Sequence, residues 1–415
     1  MSAAIPPEER SCSRRRPLRV VLSYRVLQHW RVPVFRRLAQ RPNISFLALH
    51  GADFPGTKVV NGRDLSGIDH RQLATLRVSL RRGGNDAHFP FCPSLPFHLL
   101  RHHPDVILAE GGSNLLNNFL VFAYALPTRT PVVWWTLGEL RQEGPLSRVQ
   151  RAFRALYRWM ERRSAVFLGY SSLALRYFAR QGYPSERCYR AVNCVDTDLV
   201  LSGIEGVRRD VPELRRRHGL EGCCVILFVG ALIPAKRIED LIAAYARVRP
   251  RHPDLRLVIV GDGPHRTALE AFAVAEEAED VVFTGQVIDR VGAWFELSDL
   301  FVLPGLGGLA ISEAMAHGLP VIATEADGCE VDLVEEGENG FLLPTGDRDT
   351  LADRLDELAG DRERLAAMGR HSRWIIENRF NIHTYMENVV AALECAARSG
   401  SPHRCSMGRS RRGSA

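Results

Sequence analysis

Two short stretches in the second half of the chain carry residues suited to holding a phosphate. In the first, the apolar run Val225–Val229 leads through Gly230 into a loop bearing Lys236 and Arg237. In the second, Leu300–Leu303 leads into Pro304–Ala310, a turn with glycines at 305, 307 and 308, and the helical pattern Gly308–His317 follows. A strand that turns through glycines into a helix presents backbone N–H groups at the positive end of the helix dipole, which is an anion site. Gly307 and Gly308 have no Cβ to hold that backbone away from a ligand. Lys236 adds a point charge from the neighbouring loop, suited to stabilising a departing phosphate. Glu313 sits inside the helix, roughly one turn of 3.6 residues along. An acid there is either favoured by the dipole alone or reaches the ligand, and its distance from the glycines favours the second.

These groups need elements to position them. Leu18–Leu22, Ile44–Leu49, Val106–Ala109, Val132–Trp135 and, more weakly, Val166–Leu168 read as strands. Helical patterns fall between them, among them Val34–Ala39 and Leu95–His102. The second half repeats the rhythm with strands Val225–Val229, Arg256–Val260, Val281–Phe283, Leu300–Leu303 and Pro320–Ala323, and helices Ile238–Val248 and His265–Ala275. Alternating strands and helices predict parallel sheets covered by helices. The fold class is therefore α/β, with two Rossmann-like domains facing each other across a cleft. Gly261 and Gly263 read as turn glycines at a strand end.

Four ordered segments carry a resemblance: Phe228–Arg237; Val258-Ile259-Val260-Gly261-Asp262-Gly263-Pro264; Val282-Phe283-Thr284-Gly285-Gln286-Val287; and Val302–Thr324, which includes Pro304-Gly305-Leu306-Gly307-Gly308-Leu309-Ala310-Ile311-Ser312-Glu313. Together they resemble the donor-binding half of GT-B glycosyltransferases, and more narrowly the retaining group 1, or family 4, type found in bacterial polysaccharide clusters. Asn339–Pro344 is similar to the family's next strand, and Ala191–Asp196 to its Asn-x-x-Asp segment. The resemblance is dense from Gly169 to Arg379 and thin before that.

It implies transfer of a sugar from a UDP-, GDP- or ADP-sugar to a saccharide or lipid-linked acceptor, with retention and without a metal or other cofactor. It implies Lys236 and Glu313 as catalytic residues, with Glu313 on the ribose hydroxyls. The implied donor site comprises Gly230, Lys236, Arg237, Gly261, Val287, Gly305, Gly307, Gly308, Leu309, Ala310 and Glu313. Strand C-terminal ends of the first domain face the cleft, so Arg25, Arg31, Glu110, Gly111, Gly112 and Glu139 are the acceptor-side candidates. Two readings stay open beside transfer: a nucleotide-sugar epimerase on the same plan, and a non-catalytic protein that binds sugar nucleotides.

The chain departs from the family in three places. Gly305 stands where a Glu commonly meets the donor sugar, Ala231 where an Arg is common, and Gly138 where many members have a His. The expectation is that Gly305 is a sugar-side position, so that Gly305→Glu alters turnover or donor preference more than nucleotide affinity.

The implied organisation is a tail at 1–16, an acceptor domain at 17–198, a linker at 199–221, a donor domain at 222–375, a helix at 376–398 packing back on the first domain, and a basic tail at 399–415. The 415 residues suit two or three domains. A net charge of +6 is too small to argue for nucleic acid, and fits phosphate-bearing substrates or an anionic membrane surface. Nine cysteines, an odd number with no C-x-x-C pair, favour reduced thiols and a cytoplasmic protein. Leu115–Val133 is too interrupted for a bilayer span. His98, His102 and His103 have metal-like spacing but end a helix before Pro104, where cations suit the dipole. Arg148–Arg163 reads as an amphipathic helix, packed on the sheet with an arginine-rich outer face or drawn to anionic lipid.

Overall fold

The computed structural model describes residues 16–54, 60–82, 85–112, 114–139, 148–326 and 328–399. The two expected tails, Ser113, Cys12 and Cys405 lie wholly or almost wholly outside these residues.

The first half contains β1 (Leu18–Tyr24), α1 (Val32–Ala39), β2 (Ile44–His50), β3 (His70–Gln72), β4 (Leu76–Arg82), β5 (Asn85–Phe91), α2 (Leu95–His102), β6 (Val106–Glu110), α3 (Leu115–Thr128), β7 (Val132–Thr136), α4 (Arg148–Glu161), β8 (Val166–Gly169), α5 (Ser172–Arg180) and β9 (Cys188–Arg190). The helices α6 (Thr197–Arg208) and α7 (Val211–Arg217) lead to the second half. That half contains β10 (Cys224–Val229), α8 (Ile238–Val248), β11 (Leu255–Val260), α9 (Arg266–Ala275), β12 (Val282–Gly285), α10 (Gly292–Glu296), β13 (Leu300–Leu303), α11 (Leu309–Ala316), β14 (Val321–Thr324), α12 (Glu330–Leu333), β15 (Gly340–Leu343), α13 (Arg348–Ala359), α14 (Arg362–Asn378) and α15 (Ile382–Ser399).

The second sheet runs β12-β11-β10-β13-β14-β15, all parallel. Its central strands are near-continuous apolar runs because helices cover both faces: Cys224 to Phe228 and Leu300 to Leu303 are buried throughout. The first sheet runs β3-β2-β1-β6-β7-β8-β9, also parallel, with Val20 opposite Val106. Its side chains alternate between two cores, Val20 and Leu22 on one face and Val21 on the other. Both sheets reverse their strand order once, between β1 and β6 and between β10 and β13, and ligands of such sheets bind outside the strand ends at those points.

The expected strands and helices occur within a residue or two of their sequence bounds, as cap fraying allows. The antiparallel pair β4–β5 is an addition. Its signal was legible: two alternating stretches flank Gly83-Gly84, a hairpin pattern.

The last helix leaves the second half and lies on the first. Its residues Ile382, Tyr385, Met386, Val389, Ala392, Leu393 and Ala396 share a core with β1, β6 and α1. Leu393 is completely buried there, so Leu393→Ala should cost about 2–5 kcal/mol through lost burial and a cavity. Denaturant unfolding monitored by far-UV circular dichroism checks this; an unchanged midpoint would contradict the packing of α15.

Candidate functional site

The loops that follow β10 and β13 flank the second sheet's reversal point, and they meet main chain to main chain. The Leu306 N–H donates to the Ala235 carbonyl at 3.0 Å. A Cβ added to Gly305 would lie 2.6 Å from the Ala235 oxygen and 2.7 Å from the Lys236 carbonyl carbon and oxygen. Gly307 has φ +139, and a Cβ there would overlap Lys236 Nζ. The ammonium group therefore occupies the space that a side chain at 307 would fill. Gly308 is the N-cap of α11, and Leu309 and Ala310 open its first turn, where N–H groups lack intrahelical acceptors.

The neighbouring strand ends are stitched to the same loop. Gly230 N–H donates to Val260 O, Leu232 N–H to Asp262 O, and Gly261 N–H to Gly285 O. A Cβ on Gly261 would overlap the Gly230 carbonyl. Gly230, Gly261, Lys236, Gly305, Gly307 and Gly308 thus converge. Val287 stands farther along, in the loop after β12, half-buried against the second-half core.

Glu313 is half-buried on α11. Burial pushes its carboxyl above the usual range, and nearby His317 opposes the shift. His317 is held by Glu296 at 2.6 Å, and Glu296 also accepts from Arg208 of α6. Arg237 is placed elsewhere: its Nε donates to buried Asp240 at 2.6 Å, and its guanidinium lies against Gly346. That corrects its expected role as a phosphate cation, because Asp240, shared with Arg348, already engages it.

At the first sheet's reversal point, the loops after β1 and β6 also meet. The Arg25 N–H donates to Glu110 Oε2 at 3.3 Å, and Arg25 Nε is buried without a hydrogen-bond partner. Gly111 packs against Thr136 and Trp134, while Gly112 has φ +84 and open space around it. Two acceptor-side expectations need correction. Arg31 is only 5% exposed. Its guanidinium lies 5.0 Å from the Trp135 ring centre and 5.4 Å from that of Tyr170, beneath the surface. Glu139 is exposed and bound to Arg180 at 2.8 Å, an ion pair that serves α5. Gly138 has φ +92 and would clash with the Ala174 backbone if it bore a Cβ, so a histidine has no room there.

The sequence reading missed two acids on α12. Buried Glu330 accepts the N–H groups of Ala326 and Gly328, which orders the turn after β14. Asp332 accepts the Ser172 N–H at 2.6 Å and pairs with Arg190 at 2.8 Å, both in the first half. An acid soon after a glycine at a strand's C-terminal end was the available signal for Glu330. Among the described residues, no three His, Cys, Asp or Glu side chains are grouped to hold a metal ion.

Residues 223–361 match the family described as glycosyl transferases group 1. The chain carries a group 1 glycosyl transferase domain on a GT-B fold. The fold assignment rests on likenesses such as that to Anabaena HepE, crystallised with UDP: TM-score 0.72 and 19% identity over 91% of this chain and 99% of that one. N-acetyl-alpha-D-glucosaminyl L-malate synthase of Bacillus anthracis is 30% identical over 192 residues, 45% of this chain and 49% of the relative. The GDP-mannose-dependent alpha-(1-6)-phosphatidylinositol monomannoside mannosyltransferase of Mycolicibacterium smegmatis is 34% identical over 197 residues, 44% and 50% respectively. The chain spans about half the length of these curated relatives.

The geometry of the group 1 domain overturns the expectation for Gly305. A side chain there meets main chain rather than a sugar pocket, and backbone cannot swing aside. Gly305→Glu should therefore displace the Lys236 loop and weaken nucleotide binding by about five- to a hundredfold, the range of a 1–3 kcal/mol overpacking cost. Calorimetric titration with UDP, GDP and ADP measures it; full affinity with a changed donor preference would restore the sugar-side reading.

Proposed function

We propose that this protein is a glycosyltransferase that moves a sugar from a UDP-, GDP- or ADP-sugar to a saccharide or lipid-linked acceptor, with retention and without a metal. Its setting is the assembly of bacterial surface polysaccharide or glycolipid at the inner face of the membrane. The observation that carries this reading is the position of Lys236 Nζ over Gly307, between two strand-end loops at the reversal point and beside the start of α11. A diphosphate at that place receives N–H groups from 307–310 and the lysine charge together.

Cleavage of the glycosidic bond leaves negative charge on the departing diphosphate and an oxocarbenium-like sugar. Lys236 and the first turn of α11 stabilise that charge from fixed positions. Glu313, one turn along, accepts the ribose hydroxyls, and Gly261 and Val287 line the nucleotide end. Arg25, Glu110, Gly111 and Gly112 face the acceptor from the other half, and approach of the halves excludes water that would otherwise hydrolyse the donor. The GDP-mannose dependence of the mycobacterial relative and the UDP complex of HepE support a nucleotide donor.

The first test is calorimetry with free nucleotides. Lys236→Ala should weaken the preferred nucleotide by about 1.5–3 kcal/mol, the worth of a charge-assisted hydrogen bond; parental affinity would refute the donor site. Turnover should persist in excess EDTA. Product formed from donor alone would instead indicate an epimerase, and nucleotide binding without turnover across an acceptor panel a binding protein.

The second test is pH. The raised carboxyl of Glu313 loses its charge at a higher pH than an ordinary carboxylate. Nucleotide affinity should fall as pH drops through that raised value, and Glu313→Gln should flatten the profile. The sign for stability is opposite: a raised carboxyl favours the fold fully below its unfolded value, and the benefit fades as pH rises through the folded one. A profile that Glu313→Gln leaves unaltered would remove Glu313 from the ribose.

A further inference from the structure

The helices α2, α3 and α4 lie side by side on one face of the first sheet, burying Leu99, Phe122, Tyr157 and Met160 against it. Their outer surface is unusual for a globular domain. α3 has no charged residue along its 14 positions. Its outward stripe is Phe119, Ala123 and Leu126, spaced as one helical face, with exposed Pro127 beside it. Phe119 is 50% exposed and Leu126 45%. On α2, Phe97 and Leu100 are exposed by 63% and 53%. Four large apolar side chains exposed on two helices that pack together mark a contact site rather than chance exposure.

The other flank is positive. Arg151 and Arg158 of α4 are exposed, and so are Arg162 and Arg163 just after it. The three helices contain one acid, Glu161. It is 1% exposed and accepts hydrogen bonds from Tyr177 and Tyr183. The helices thus offer solvent an apolar stripe edged by arginines, and no carboxylate.

We propose that this face docks on an anionic lipid bilayer surface. Phe119 and Leu126 enter the boundary between headgroups and acyl chains, and Arg151 and Arg158 meet the headgroup phosphates. The apolar stripe supplies burial, and the one-signed charge supplies the attraction that zwitterionic lipid lacks. No described helix is long and apolar enough to cross a membrane, so the contact is peripheral. The inference rests on the reading above in one respect: a lipid-linked acceptor gives the enzyme reason to sit at the bilayer.

The experiment is co-sedimentation of the full chain with vesicles of phosphatidylcholine, alone or mixed with phosphatidylglycerol. Binding is expected only with the anionic lipid and should decline with added salt. The double variants Phe119→Asp/Leu126→Asp and Arg151→Glu/Arg158→Glu should each weaken it by about tenfold or more. Circular dichroism and nucleotide affinity of both variants should match the parent, which separates a failure of this proposal from a failure of the transferase reading. Equal binding to both vesicles, no binding, or parental binding by either variant would overturn it. So would a stable dimer in lipid-free solution that Phe119→Asp/Leu126→Asp dissolves, because the stripe would then serve a second copy.

Discussion

The contact on which the second half depends is between two stretches of main chain, Ala235–Lys236 and Gly305–Leu306. One hydrogen bond, from Leu306 N–H to Ala235 O, closes it, and the missing side chain at Gly305 permits it. Main chain held this way does not relax as a surface side chain does. Lys236 therefore emerges from a fixed root, and its Nζ comes to rest over Gly307. Electrostatic stabilisation is effective when charges are in place before the reaction needs them. The same device recurs one strand over, where Gly261 abuts the Gly230 carbonyl. Three consecutive strand ends become a single rigid rim.

That rim was legible in the sequence because its parts are local. A buried parallel strand reads as an unbroken apolar run, and Cys224–Val229 and Leu300–Leu303 each do so, as does Leu255–Val260 after Arg256. The glycines after them mark turns whatever else the chain does. Arg31 shows where such reading stops. It follows a strand's C-terminal end, which predicts a place facing the cleft. It is buried because Trp135, Tyr170 and Tyr385 close over it from β7, from the turn after β8 and from α15. No period within a window of residues reports a box assembled from three distant segments. Glu139 failed likewise, since its partner Arg180 lies 41 positions away.

The chain crosses between the halves twice, as a linker and a returning last helix imply, near Asp196–Thr197 and near Asn381–Ile382. The sequence did not report that the crossings are tied together: Ile382 N–H donates to Thr197 Oγ1 at 3.0 Å. Arg37 of α1 holds Asp196 through two hydrogen bonds. This double crossing has the form of a hinge, a few positions at element ends that absorb rotation.

Asp332 stands away from that hinge in sequence and bridges the halves directly. Its side chain is only 4% exposed, and both of its partners, Ser172 N–H and Arg190, belong to the other half. Any rotation that parts the halves must break both bonds. An ionised carboxylate left buried and unpaired would be costly, but parting also admits water, which solvates a carboxylate well. The net preference for contact is then the modest surplus of charge-assisted bonds over hydration, about 1.5–3 kcal/mol for such a group. A bias of that size favours the joined arrangement by roughly ten- to a hundredfold, while leaving the parted one populated enough to exchange ligands. Asp332 thus holds the halves together without locking them, which is what the transferase proposed above would require of its cleft.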